Sequence, residues 1–261
     1  MLNFANNILL PKSIQNFLFE IYGISAFAVR YFKEISKPPY EIKEFIRQFF
    51  FIGNKSFSIV GITGFIIGFV LALQAIPTLQ PFGATSLIPA MIAISIIREI
   101  GPVITGLICA GKIGSSIGAE LGSMKVTEQI DAMEVSACNP FSYLVITRVT
   151  AVTIALPFLV IFADTIALIG GYIALNLVSD VNLSLYFSQI FDAISFDDLL
   201  PAFIKTFFFG FTIGIVGTYK GYNAEKGTES VGVAANTSVV ISSVMVIVWD
   251  MIAVQITNII F

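Results

Sequence analysis

The chain contains no histidine, and so lacks the side chain that most often serves as general base or transition-metal ligand near neutral pH. Charge is scarce too. Only 12% of the 261 residues are Asp, Glu, Lys or Arg, about half of the ~25% a soluble domain carries. A fold of this size cannot cover itself with a solvated surface on so little charge, and the sequence reads as an integral membrane protein. The 14 basic residues are spread along the chain and the net charge is −3, so nucleic-acid binding finds no support. Cysteine is limited to Cys109 and Cys138, which read as small buried hydrophobes. The opening MLNFANNILLPKSIQN has no basic start before a long apolar core and no small-residue cleavage site. An uncleaved protein inserted by its own helices is expected. No direct or inverted repeat is visible, which counts against transporter architectures built from inverted repeats.

What the chain does have is apolar length. Segments at about 57–76, 87–119, 143–177, 201–218 and 233–260 each reach or approach the ~20 residues a helix needs to cross the hydrocarbon core. The breaker-rich IPTLQPFGATS ends the first, and Pro157 and the Gly170–Gly171 pair are candidate kinks in the third. Ahead of them, residues 1–55 interleave Phe17, Leu18, Ile21, Ile24 and Phe27 with Lys12, Glu20, Arg30, Lys33 and Glu34, and Pro38–Pro39 interrupt the run. A stretch broken so often lies at the interface rather than spanning; its apolar face has either lipid or the protein's own helices to meet. Lys and Arg crowd the segment before the first span, flank the second-to-third connection (Lys112, Lys125, Arg148) and return as Lys220 and Lys226, while 77–86 and 178–200 have none. The alternation predicts a cytoplasmic N-terminus and an external C-terminus. The expected fold is an all-α integral membrane protein, with an interfacial segment at 1–55 and a five-helix transmembrane domain at 56–261.

Two short motifs are misleading. GLICAGKI (106–113) falls one residue short of a phosphate-binding loop and lies in an apolar helix, with Ile113 where a hydroxyl would hold magnesium. GSSIG (114–118) fits a nucleophile elbow, but without histidine no Ser-His-Asp triad can form. An intramembrane hydrolase using Ser115 or Ser116, with Lys112 as a base, is the enzyme alternative. The glycines at four-residue intervals (64/68, 114/118/122, 210/214, 217/221) read as bare backbone for close helix packing.

Charge inside the apolar segments carries more information. Arg98 and Glu99 fall near the middle of the second span, Asp250 in the fifth, and Lys205 and Asp164 nearer the ends of the fourth and third. A lone charge there costs several kcal/mol, so each should face a partner or a wet cavity. Adjacent helical residues diverge by about 100°, so Arg98 and Glu99 are not expected to serve one neighbour. A cavity opening outward onto a zwitterionic or anionic headgroup follows as an expectation, as does the alternative of a proton-coupled secondary transporter using Glu99 and Asp250. Between the second and third spans, MKVTEQIDAMEV forms a short amphipathic helix at about 124–136, with Val126, Ile130 and Met133 on one face and Glu128, Asp131 and Glu134 off it. Acidic residues on the side that loop charge marks as cytoplasmic suggest a handle for a basic groove on a partner.

From about residue 40 onward the sequence resembles the MlaE/YrbE family of ABC-transporter permeases. The resemblance rests on REIGPVITGLICAGKIGSSIGAELGSMKVTEQIDAMEV, on NPFSYLVITRV behind it, and on VGVAANTSVVISSVMVIVWD near the C-terminus. It implies a homodimeric permease of the cell inner membrane that moves phospholipid to or from an MCE-domain lipid-binding partner and serves lipid asymmetry. ATP and magnesium would be bound by a separate ATPase subunit, leaving this chain with no cofactor and no catalysis of its own. By the same resemblance Glu120, Glu128, Gln129 and Asp131 belong to the ATPase-coupling segment, and Arg98, Glu99, Lys205 and Asp250 to the lipid cavity.

Overall fold

The computed structural model describes residues 12–38, 40–225 and 227–260. Residues 1–11, Pro39 and Lys226, read above as interfacial segment, breaker and loop cation, lie outside the described residues, as do the side chains of Lys12 and Phe17. Every described regular element is helical, and five helices are long and apolar enough to cross a membrane: Ile42–Phe82, Thr85–Val126, Phe141–Asn176, Phe196–Tyr222 and Thr228–Ile259. The protein is a multi-pass membrane protein of the all-α class.

The N-terminal helix, Lys12–Glu34, answers the question its composition left open. Phe27 and Tyr31 are buried against Phe141, Val145, Val149 and Ile215, and the Tyr31 hydroxyl pairs with Thr150 Oγ1 at 2.9 Å. Its other flank keeps Leu18, Phe19, Tyr22 and Phe32 exposed. One face therefore docks on the bundle while the opposite one stays apolar and open.

The spans are longer than the apolar runs alone suggest. The first helix continues unbroken from Ile42 to Leu79, so the boundary expected at 55/56 falls inside it. No Pro or Gly cluster stops EIKEFIRQFFFIGNKS, and its charges pair along the helix: Glu44 accepts from Arg47 and Gln48 at 2.8 Å and, across to the third span, from the Tyr143 hydroxyl at 3.3 Å. A helix of this length measures about 60 Å against a ~30 Å hydrocarbon core, so it projects well beyond the bilayer. The turn after it uses a left-handed Gly83 at φ 67°. The fourth span begins at Phe196 rather than 201, because Ser195 and Asp198 form a reciprocal capping box. A helix at Leu183–Ala193, capped by Asn182, occupies the stretch read as an acidic loop. Its Tyr186 is fully buried and donates to the Leu168 carbonyl at 2.9 Å.

Glycine sets how close the spans come. A methyl on Gly68 would fall 1.8 Å from the Ala167 carbonyl oxygen, and one on Gly64 2.7 Å from that of Ala163, so the first and third spans touch backbone to backbone. Gly210 and Gly214 do the same against Val152 and Val149, and Gly118 meets the Ala234 carbonyl of the fifth span. Without a hydrophobic drive between helices in lipid, such close packing supplies much of the association. Gly170 and Gly171, expected as kinks, lie in an unbroken helix and serve as contacts to Phe65 and Tyr186.

Candidate functional site

The second span is one helical rod interrupted by two π turns, Ile96–Ile100 and Ala110–Gly114. The first of these builds the site. Pro102 has no N–H, so the Arg98 carbonyl four residues earlier lacks its usual helical partner. Lys205 Nζ, on the fourth span, donates to that carbonyl at 2.6 Å. The same ammonium reaches Glu99 Oε2 at 2.9 Å and Asp250 Oδ1 at 2.8 Å. An ammonium has three donors, and all three are used; the Lys205 side chain is only 5% exposed. One lysine thus ties the second, fourth and fifth spans together.

Arg98 and Glu99 divide their side chains as the 100° rule requires, yet both partners lie on the fourth span. The Arg98 guanidinium sits 3.4 Å from Asp198 Oδ1, and Asp198 and Lys205 are two helical turns apart on one face. This corrects the expectation that no single neighbour serves both. Along Thr85–Val126 the pair lies about a third of the way from the end that faces the Leu183–Ala193 helix, because this helix runs on past the apolar segment to Val126. Both side chains stay accessible, Arg98 at 41% and Glu99 at 44%. They line a cleft of about 320 Å³, counted with its open mouth, together with Asp197, Lys205, Thr257 and Asn258. Two cations, Arg98 and Lys205, face four carboxylates, Glu99, Asp197, Asp198 and Asp250, so the formal charge around it is −2.

Asp164 does not join this cluster. Its Oδ1 is buried with no hydrogen-bond partner and packs over Gly101. A methyl on Gly101 would fall 1.8 Å from that oxygen and 2.9 Å from the Ile96 carbonyl oxygen, so the π turn and Asp164 converge on one point that only glycine leaves open. Gly101→Ala is expected to cost about 1–3 kcal/mol, as overpacking does, read as an earlier thermal midpoint of the detergent-purified chain. Gly232→Ala, where nothing lies within 4 Å, should be neutral or slightly stabilising.

At the opposite end of the bundle the loop helix spans Gln129–Val135, shorter than the expected 124–136 because the second span keeps residues up to Val126. It is held between two tight turns, with Glu128 and Ala137 both at φ 58°. Ile130 is buried with Leu121 and Leu144, and Met133 packs beside them. Gln129, Asp131, Glu134 and Val135 are left facing outward. Lys125 Nζ holds Asp131 Oδ1 at 2.8 Å, and Gln129 Nε2 donates to Thr127 Oγ1 at 3.0 Å. Glu120 stands further back: its Oε1 accepts from Arg148 Nη2 at 2.8 Å. Arg148 is the largest fully buried side chain among the described residues, and the sequence, which placed it in a loop flank, gave no sign of that burial.

The motifs set aside in the sequence are helical. GLICAGKI runs through the rod, without the strand and loop a phosphate cradle needs. The Ser115 hydroxyl donates to the Gly111 carbonyl, and no hydrogen bond joins it to the Lys112 ammonium.

Fold and cleft together define a five-span helical membrane protein with a charged chamber near one end and an acidic helix at the other. The family model described as "Permease MlaE" matches residues 45–256. The chain is 37% identical, over 95% of both chains, to "Probable ABC transporter permease protein" of Rickettsia felis. It is 32% identical to "Intermembrane phospholipid transport system permease protein MlaE" of Haemophilus influenzae, over 79% of this chain and 80% of the relative. A "Probable ABC transporter permease protein ycf63" of Pyropia yezoensis is 33% identical over 79% of each. The chain belongs to the MlaE family of ABC-transporter permeases.

Proposed function

We propose that this chain is the membrane subunit of a phospholipid transporter of the cell inner membrane, moving lipid between the bilayer and an MCE-domain partner. Its power comes from a separate ATPase that binds the ATP and magnesium. The observation that carries this reading is the cleft: a satisfied ionic hub with a half-exposed Arg98–Glu99 pair at its mouth suits a headgroup bearing both signs of charge. The surplus of carboxylates favours a zwitterionic headgroup, whose ammonium meets Glu99 and Asp197 while its phosphate meets Arg98, over a purely anionic one.

Orientation follows from charge. Arg30, Lys33, Lys37, Lys43 and Arg47 gather at the loop-helix end, whereas the opposite end carries Asp180, Asp192 and Asp197. The loop helix is therefore assigned to the cytoplasm, where Glu128, Gln129 and Asp131 meet the ATPase, and Glu120 supports them through Arg148. The C-terminus is external, and the MCE partner meets the bundle at the end carrying Leu183–Ala193. The fifth span leaves Val240, Val244, Ile247 and Met251 exposed, and a second copy of the chain covers that face in a homodimer.

The test is crosslinking. Photoactivatable phosphatidylethanolamine in membranes should label the wild-type cleft, and Arg98→Leu with Glu99→Leu should abolish that labelling. Unchanged labelling would remove the cleft from the lipid path.

A further inference from the structure

A second polar cleft opens between the first and second spans, in the half of the bundle that bears the loop helix. Lys55 and Ser56 line one wall and Lys112 and Ser116 the other, around about 330 Å³ counted with the mouth. Neither lysine makes an ion pair among the described residues, and the Lys55 ammonium lies over the Phe51 ring, 3.8 Å from its centroid. The one carboxylate on the wall, Glu120, is already held by Arg148. Two positive charges therefore stand uncompensated in the cleft. Ser56 is 1% exposed and its hydroxyl has no hydrogen-bond partner, although serines inside spans usually return theirs to the helix. Two cations and an orphan buried hydroxyl are the donor set of an oxyanion site.

Depth identifies the oxyanion. Lys55 lies about 36 Å along its helix from Leu79, and Lys112 about 40 Å along its own from Thr85. Those two ends are joined by a short turn, so both lysines sit at one level. That level is a little more than one ~30 Å hydrocarbon thickness from the far side, the depth of the lipid phosphates in the leaflet on the loop-helix side. About 20 Å of each helix continues past it into water. The rim supplies an apolar surface for a lipid, since Phe51 is exposed, lines the cleft and lies over the Lys55 ammonium.

We infer that this cleft binds the phosphate of an anionic phospholipid, with Lys55 and Lys112 as counter-ions, Ser56 and Ser116 as hydroxyl donors, and an acyl chain against Phe51. The site is separate from the Arg98–Lys205 cleft and has the opposite charge. It does not depend on which leaflet faces the cytoplasm, nor on what the other cleft carries.

The experiment is native mass spectrometry of the full-length chain in detergent, titrated with phosphatidylglycerol and with phosphatidylcholine. The wild type should retain phosphatidylglycerol at least about tenfold better, the order expected for two lysines at an anionic lipid surface. Lys55→Gln with Lys112→Gln should bring the ratio to within about twofold of unity, on the same basis. Lys33→Gln with Lys37→Gln removes the same charge from two exposed positions and should leave the ratio unchanged. Ser56→Ala, which removes an unsatisfied buried hydroxyl and so is not expected to unfold the chain, should diminish the thermal stabilisation that phosphatidylglycerol confers. An unchanged ratio in the Lys55/Lys112 variant, or an equal fall in the Lys33/Lys37 variant, would overturn the site. So would displacement of the lipid by equimolar glycerol phosphate, which would make the ligand a soluble phosphate. Loss of phosphatidylethanolamine crosslinking at Arg98 has no bearing on these outcomes, so the two proposals fail separately.

Discussion

Lys205→Met should destabilise the bundle by about 3 kcal/mol, the low end of what breaking a buried ion pair costs. The methionine fills similar space but leaves Asp250 and Glu99 without their counter-ion and the Arg98 carbonyl without its donor. Glu99 is 44% exposed and water can partly compensate it, which sets the estimate at the low end. Asp250, at 18%, has no such relief. Heating the purified chain and following loss of the monodisperse species measures the effect. Adding Glu99→Gln and Asp250→Asn to Lys205→Met should recover most of the lost stability, because the cost lies in unpaired charge rather than in packing, while lipid crosslinking at the cleft stays lost. If Lys205→Met melts with the wild type, the three-span hub carries no weight in the fold.

The second large effect concerns the opposite end. Glu128→Lys with Asp131→Lys should weaken ATPase association by about a hundredfold or more, since reversing charges at a docking surface commonly costs several kcal/mol. Both residues are exposed, so the thermal midpoint should move little, as surface substitutions do. Glu128 sits at a positive φ, and lysine, unbranched like glutamate, meets the same backbone cost there. Co-expression with the cognate ATPase and recovery of the complex by affinity purification gives the readout. Normal recovery would place the ATPase contact elsewhere on the chain.

The sequence made much of this legible, for identifiable reasons. Uninterrupted apolar runs mark spans whatever their partners, so all five were found. Their ends were not, because Ile42–Lys55 is charged but helical, and hydropathy sees only the charge. The Leu183–Ala193 helix was missed although Asn182 and the Ser195…Asp198 spacing are readable caps; four aspartates in 178–200 made the segment look like a plain loop. Arg98, Glu99, Lys205 and Asp250 stand out by their cost in lipid, and Glu99 and Asp250 do meet at Lys205; Asp197 and Asp198, which also line the cleft, read only as loop charges. Their geometry was hidden. It turns on Pro102 freeing a carbonyl that a lysine 107 residues away collects, a pairing that no local pattern encodes. Asp164 was grouped with the cluster by its depth alone, and packing over Gly101 sets it apart.

The central claim is that this chain supplies a lipid path and borrows its power from another subunit. Reconstitution tests it most directly: the purified chain, alone and with its ATPase and MCE partner, in liposomes carrying a fluorescent phospholipid, with ATP hydrolysis and lipid transfer followed together. The account predicts no hydrolysis of ATP or of any ester by the chain alone, and ATP-dependent lipid transfer once the partners are present, abolished by Arg98→Leu with Glu99→Leu. Hydrolysis by the chain alone, or lipid transfer driven by a pH gradient without the ATPase, would contradict it.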